Sequence, residues 1–390
     1  MADLNGQWYI LLPLLAAGIP ALIAASSVPF VRRFSLRWGL LDRPASRKVH
    51  TTPIPLGGGI AIWLATVAPL AAGSLLAHLA ASGDGIRSAG WPEAIGRHLP
   101  GLLQQLPKLW GLLGAGTLLM LVGLADDRRG IHWSWRLGIQ FAVAATTVSW
   151  QGWRLTAFID WTPLTWLLSV VWIVALINAF NMLDNMDGLS SGVAVIASGM
   201  LAAALLIGKD PETGGPQLFV SGLLWVLAGS AAGFLWHNRP PARIFMGDAG
   251  SYFIGYVVAV CTMLATYTGY DTGHRYAVFA PLCVMAVPLY DMTTVIWIRL
   301  RAGQSPFHAD RNHFSHRLVE MGFSKGQAVA VIYLLTFTTG LGALLLPRTD
   351  PVGALLVLLL VLCVLVLIGL LETRARGNGV VGDSTRRGSP

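Results

Sequence analysis

Most of this chain is a series of apolar runs, each about as long as a bilayer is thick, separated by short polar stretches. A helix needs about 20 apolar residues to cross the hydrocarbon core. Only helices and closed barrels keep every backbone amide and carbonyl paired there. Eleven runs can be marked, near 8–30, 57–82, 106–125, 135–150, 162–183, 188–207, 216–236, 250–270, 276–298, 327–346 and 352–371. The run at 135–150 is the shortest, and the break at 184–187 is drawn only because Asp184 and Asp187 interrupt a longer apolar stretch. The expected fold is all-α, a polytopic transmembrane helix bundle of about eleven spans. Composition agrees: 12% of residues are charged, against roughly 25% in soluble domains.

The N-terminal stretch Met1–Leu15 carries no basic residue ahead of its apolar run, so it reads as a first span and not as a cleaved leader. A single transmembrane catalytic domain is expected over 1–372, with its active-site loops near 31–56, 126–136, 184–187, 237–249 and 299–326, followed by a disordered tail over 373–390. Cys261, Cys283 and Cys363 each lie inside an apolar run without CxxC spacing, which excludes a disulfide frame or a cysteine metal site.

Basic residues set the expected orientation, because Lys and Arg accumulate on the cytoplasmic side. With the N-terminus outside and the C-terminus cytoplasmic, 20 of the 27 Lys and Arg fall in cytoplasmic segments. The net charge of +8 is then a topological signature together with attraction to anionic lipid heads. Nucleic acid is not an expected partner, since no basic helix or aromatic-studded basic face is present.

Five polar clusters gather on that same side. The first runs from Asp42 through Lys48 and His50 to Gly57, Gly58 and Gly59. Glycines opening a helix let backbone amides approach an anion, although a plain helix start within a basic loop would look the same. The second holds the adjacent carboxylates Asp126 and Asp127, then Arg128, Arg129, Arg136 and Gln140. Acids at a membrane boundary face a cavity, a partner or an ion, and paired acids can hold their pKa values apart. A helix-end pair neutralised by Arg128 and Arg129 is the simpler alternative. In the third, Asn178, Asn181 and Asp184 recur at i, i+3 and i+6, one stripe of a helix, and Asp187 stands where it could cap the next helix.

The fourth cluster runs from Asn238 to Gly247-Asp248-Ala249-Gly250-Ser251, where Asp248 is either an N-cap or a ligand for a hard cation. The fifth contains His308, Asp310, Arg311, His313, His316 and Arg317. Without a cysteine or HExxH frame, its histidines suit phosphate contacts better than zinc. Asp291 falls inside the ninth run and should face the bundle interior.

In this order, the five clusters resemble the polyprenyl-phosphate N-acetylhexosamine-1-phosphate transferases, glycosyltransferase family 4, over roughly residues 40–325. Pro53-Ile54-Pro55-Leu56-Gly57-Gly58 and the Asp310-Arg311-x-His313-x-x-His316 loop look closer to the UDP-N-acetylglucosamine–undecaprenyl-phosphate branch than to the phospho-MurNAc-pentapeptide branch. The resemblance implies that Asp126 and Asp127 are catalytic, one of them deprotonating the lipid phosphate. It implies Asp248 as the ligand of Mg²⁺, with Mn²⁺ a substitute. Asn181, Asp184, Asp187 and Asn238 would bind the nucleotide sugar, and Lys48, His313 and His316 its diphosphate or sugar. A UDP-sugar and a polyprenyl phosphate are the implied substrates, the bacterial plasma membrane the implied location, and a homodimer is compatible with it. Two positions depart from the family pattern: Asn185 where Gly is usual, and Leu56 where many relatives carry Arg.

The expected reaction is phosphoryl transfer with release of UMP, dominated by positioning and charge neutralisation. A phosphate monoester is already largely ionised near pH 7, so either Asp of the pair serves equally well as a metal or positioning group. A secondary transporter would instead place its polar residues near the bilayer midplane, often within inverted repeats. An inactive scaffold would not need all of the acidic clusters.

Overall fold

The computed structural model describes residues 4–42, 53–82, 93–155, 159–208, 215–266, 275–308 and 310–386. The helices in chain order are α1 (Leu4–Trp38), α2 (Gly58–Ala81), α3 (Glu93–Arg129), α4 (Trp133–Gln151), α5 (Thr162–Leu183), α6 (Leu189–Ile207), α7 (Leu218–Asn238), α8 (Gly247–Thr266), α9 (Ala280–Val284), α10 (Ala286–Arg301), α11 (Phe314–Glu320), α12 (Lys325–Leu345) and α13 (Pro351–Arg386). Two short strands, β1 (Leu41–Asp42) and β2 (Ile54–Pro55), pair antiparallel.

Among the described residues, nine helices are long and apolar enough to cross a membrane, and a bent pair makes a tenth. That pair, Tyr276–Val284 with Ala286–Arg301, turns by 63°. The cause is Pro288, which has no amide to donate and whose ring crowds the carbonyl of Val284 four residues back. The remaining expected run forms helix α4, which Arg136, Gln140, Thr146, Thr147 and Gln151 make too polar to stand with the other nine. At the C-terminus α13 runs on to Arg386. Adding residues to an existing helix costs far less than starting one.

Burial ranks the spans. Some 83% of the α8 span is buried inside the protein, against 17% for α1 and 11% for α13. Helix α8 is therefore the axis, with α2, α3 and α5 packed round it, while α1 packs on α7 and α13 lies at the margin. Lipid tails are as apolar as leucine, so close approach through small residues drives this packing. A Cβ at Gly59 would sit 2.2 Å from the Gly250 amide, and one at Gly123 would sit 2.4 Å from the Asp248 backbone. These contacts bring α2 and α3 against the first turn of α8.

The glycines of the first cluster serve the same contact and not an anion. The Gly58 and Gly59 amides donate to the carbonyls of Phe245 and Met246 at 2.9 and 3.0 Å. The Phe245 amide donates to Pro55 at 2.9 Å, so β2 holds the chain entering α8.

Gly123→Ala is expected to lower the unfolding temperature in detergent, because overpacking costs about 1–3 kcal/mol. Gly114→Ala, on the same helix but with no atom within 4 Å of the new methyl, should leave it unchanged or raise it slightly. Equal effects at the two sites would remove the α3–α8 contact as the reason.

Candidate active site

The ends of α3, α4, α5 and α8 meet, and four of the sequence-predicted acids meet with them. Asp127 closes α3 onto α8. Its Oδ1 accepts from the Asp248 amide at 2.9 Å and its Oδ2 from the Ala249 amide at 3.2 Å. A carboxylate from another helix thus caps α8, where the helix dipole favours negative charge. Gly247 is needed for this approach: its φ is +72°, and a Cβ there would lie 2.5 Å from Asp127 Oδ2.

Asp126 turns the other way. Its Oδ1 accepts from the Ile131 amide at 2.6 Å, which closes the α3–α4 turn, and its Oδ2 accepts from Arg136 Nη1. The same Arg136 nitrogen lies 3.1 Å from Asp248 Oδ2 and 3.4 Å from the Tyr252 hydroxyl. Tyr252 donates to Asp248 Oδ2 at 3.3 Å. On the other side, Asn181 Nδ2 donates to Asp248 Oδ1 at 2.7 Å and to Ser251 Oγ at 3.1 Å. Asp248 therefore occupies the first turn of α8 as a held, inward-facing carboxylate, while Asp127 provides the cap.

Asp184 follows the last turn of α5 as its C-cap. Burial, and after it the charges of Asp127 and Asp187, push its carboxyl up to about 7. Asn178 belongs to the stripe but not to the cluster, since its amide donates to Gln140 at 2.7 Å.

Asp187 and Asn238 tie loops beneath the site. Asp187 does not cap α6, whose N-cap is Gly188; its Oδ2 accepts from the Ala242 amide at 2.9 Å. Asn238 is buried. Its Oδ1 accepts from the Gly188 amide and Ser191 Oγ, both at 3.0 Å, and its Nδ2 donates to the Ile244 carbonyl at 2.9 Å.

His313 and His316 sit on α11, which reaches the turn after α5 through a hydrogen bond from Ser315 Oγ to Asn185 Oδ1. Asn185, the residue in the glycine position, is thus one of the links between the acidic cluster and the histidines. Asp291 faces inward as expected, at 1% exposure, with Oδ2 3.0 Å from His313 Nδ1 and Oδ1 accepting from the Phe314 amide. An uncompensated Asp within a spanning helix costs about 3 kcal/mol, so these two bonds account for its tolerance. Burial, then the nearby charges of His313 and Arg311, push His316 below the usual imidazole value. Lys48 lies outside the described residues.

Arg136 and Tyr252 were given no role on sequence grounds. The signal for Arg136 was its place one turn into the helix after the acidic pair; Tyr252 looked like part of an apolar run.

The four carboxylates Asp126, Asp127, Asp184 and Asp248 share one guanidinium among their described partners. That excess of negative charge, presented through hard oxygen donors, suits a magnesium-like cation. Among the described residues no three His, Cys, Asp or Glu side chains converge as a ready-made metal cage.

Alongside, a cavity of about 710 Å³ is walled by Phe30, Val31, Phe34 and Trp38 of α1, Ile60 of α2, and Leu121, Leu124 and Ala125 of α3. Arg128 and Arg129 line its polar side, and Arg128 lies over the Trp38 ring at 5.6 Å.

The model for glycosyl transferase family 4 matches residues 109–266. The chain is 30% identical over 326 residues to a probable undecaprenyl-phosphate N-acetylglucosaminyl 1-phosphate transferase of Bacillus subtilis, covering 82% of this chain and 80% of that protein. It is 29% identical over 377 residues to a decaprenyl-phosphate N-acetylglucosaminephosphotransferase of Mycolicibacterium smegmatis, covering 92% and 87%. Against an undecaprenyl-phosphate alpha-N-acetylglucosaminyl 1-phosphate transferase of Escherichia coli K12 it is 30% identical over 322 residues, covering 78% and 76%.

The loop that carries the histidines gives a pH test. Burial alone would raise the Asp310 carboxyl, but the Arg299 fork at 3.0 and 3.1 Å and the Asn312 side chain and amide outweigh it and hold the carboxyl at about 2. A carboxyl lowered on folding stabilises the loop above its ordinary value of 3.8, and that contribution is lost as pH falls toward 2. Hydrogen-exchange protection of the Asn312 amide should therefore fall across that window in the wild type. Asp310→Asn should lack that protection throughout it. Identical pH profiles would show that the ion pair does not hold the loop.

Proposed function

Because the chain belongs to glycosyl transferase family 4, we propose that it transfers a sugar 1-phosphate, N-acetylglucosamine 1-phosphate foremost, from a UDP-sugar to a polyprenyl phosphate with release of UMP. The observation that carries this reading is adjacency. An apolar groove ending in two arginines lies one helical turn from a carboxylate cluster built on helix ends. A lipid phosphate and a soluble nucleotide sugar need such a junction, with the tail in the groove and the two phosphates at the cluster.

In this reaction an oxygen of the lipid phosphate forms a bond to the β-phosphorus of the UDP-sugar. The bond from that phosphorus to the bridging oxygen breaks, and UMP leaves with the electron pair. Positioning and charge neutralisation dominate such transfers. Arg128 and Arg129 receive the lipid phosphate. Asp248, held by Asn181 and Tyr252, would bind Mg²⁺ with Asp126 and Asp184 as neighbours; bound there, the ion supplies Lewis-acid neutralisation of the diphosphate and the leaving phosphate. Arg136 keeps two like charges at a fixed separation until the substrates arrive. Asp127 positions Asp248 by capping α8, and His313 and His316 donate toward the donor's diphosphate or sugar. The excess of Lys and Arg on one side supports a site at the cytoplasmic face of a bacterial plasma membrane.

Purified protein supplied with undecaprenyl phosphate, Mg²⁺ and a panel of UDP-sugars should release UMP with UDP-N-acetylglucosamine, in a manner dependent on lipid and metal. Folded protein that releases UMP with no UDP-sugar would overturn the reading. Asp248→Ala should abolish turnover without unfolding the protein. Arg136→Leu should reduce turnover about 100-fold, the scale for removing one preorganised charge partner. Ala125→Phe should raise the lipid KM about tenfold with the donor KM unchanged, the signature of lost uniform binding to one substrate; an unchanged lipid KM would move the tail elsewhere.

A further inference from the structure

Helix α13 is almost wholly turned outward. Between Pro351 and Thr373 only Ala354, Val361 and Glu372 are buried. The span has a mean hydropathy of 3.5, and Glu372 is its one acid. A carboxylate at the end of such a helix is tolerated when it faces protein and finds partners. Glu372 has two. Its Oε1 accepts from Arg317 Nε at 3.0 Å and its Oε2 from the Tyr290 hydroxyl at 2.8 Å.

Arg317 is buried as well, at 3% exposure. Its Nη1 donates to the Asn312 carbonyl at 2.9 Å and its Nη2 to Thr294 Oγ1 at 2.9 Å. One guanidinium thus joins α10, the chain entering α11, and α13. Arg317 follows His316 directly and lies one turn after His313, which is the N-cap of α11. The orientation of the Arg317 side chain therefore sets how α11 presents both histidines.

We propose that Glu372 is a positioning residue for the histidine helix, acting through Arg317 to fix α11 against α10 and the turn after α5. The function assigned to His313 and His316 rests on the reading above; the tie itself does not. On this view α13 does more than anchor the chain: it supplies the counter-charge that holds the donor side of the site in place.

Two measurements separate this role from simple anchoring. The first is the rate at which diethyl pyrocarbonate modifies His313 and His316, read by mass spectrometry on the full chain in detergent. The second is the pair of KM values for donor and lipid. In Glu372→Gln the modification rate and the donor KM should each rise about tenfold, with lipid KM unchanged, because a loosened support misplaces one substrate's contacts. Glu372→Asp should fall between Gln and wild type. If Glu372→Gln fails to fold, the double variant Glu372→Leu with Arg317→Met removes both charges together, which proteins tolerate better than one orphaned charge; it should show the same exposed histidines. Unchanged histidine protection and unchanged donor KM in either folded variant would overturn the proposal. A wild type that turns over no UDP-sugar would sink the functional reading alone, and histidine protection would still decide the tie.

Discussion

The cap that Asp127 places on α8 is the contact on which the rest of the site depends. Two backbone amides at the buried start of the central helix need acceptors, and the last turn of α3 provides them through one carboxylate. That contact fixes how far α3 can slide along α8, and Gly123 lets the two backbones close on each other. It also sets Asp248 one residue into α8, within reach of Asn181 from α5 and Arg136 from α4. Four helix ends are thereby registered to one another through three side chains. Without the cap, the start of α8 would need water or another anion, and Asp248 would have no fixed address.

The fold was largely legible because a bilayer allows few solutions. Runs of bilayer length predicted the helices, and each predicted run is a helix in the structure. The exceptions have local causes. Pro288 divides one run into two helices at 63°, and the polar residues of α4 put it apart from the nine plainly apolar spans.

The site was legible as residues and less so as partners. Carboxamides and carboxylates recurring inside apolar runs flagged Asn181, Asp184 and Asp248, and all three meet at the start of α8. Arg136 carried the same charge as the loop residues that encode topology, so nothing in sequence separated it from them. Asp187 and Asn238 stood out for the same reason as their neighbours, yet their bonds go to Ala242, Gly188, Ser191 and Ile244. A polar residue near lipid must find a partner, and sequence states the need without naming what meets it. Gly58 and Gly59 show the converse: amides that could have cradled an anion are taken by the carbonyls of Phe245 and Met246.

The placement of charge divides the site into two parts with different rules. Around α8, four carboxylates have one arginine among their described partners, Arg136, which pairs with Asp126 and Asp248. Around α11 three acids each have a matched base: Asp310 with Arg299, Asp291 with His313, Glu372 with Arg317. A charge-balanced group of this kind resists change when a polyanion binds nearby, because removing either partner strands the other. The Asn185–Ser315 hydrogen bond joins the two parts. In this chain a carboxamide stands where the family pattern has glycine, so the distance between the acidic cluster and the histidines is set by a side chain and not by backbone alone.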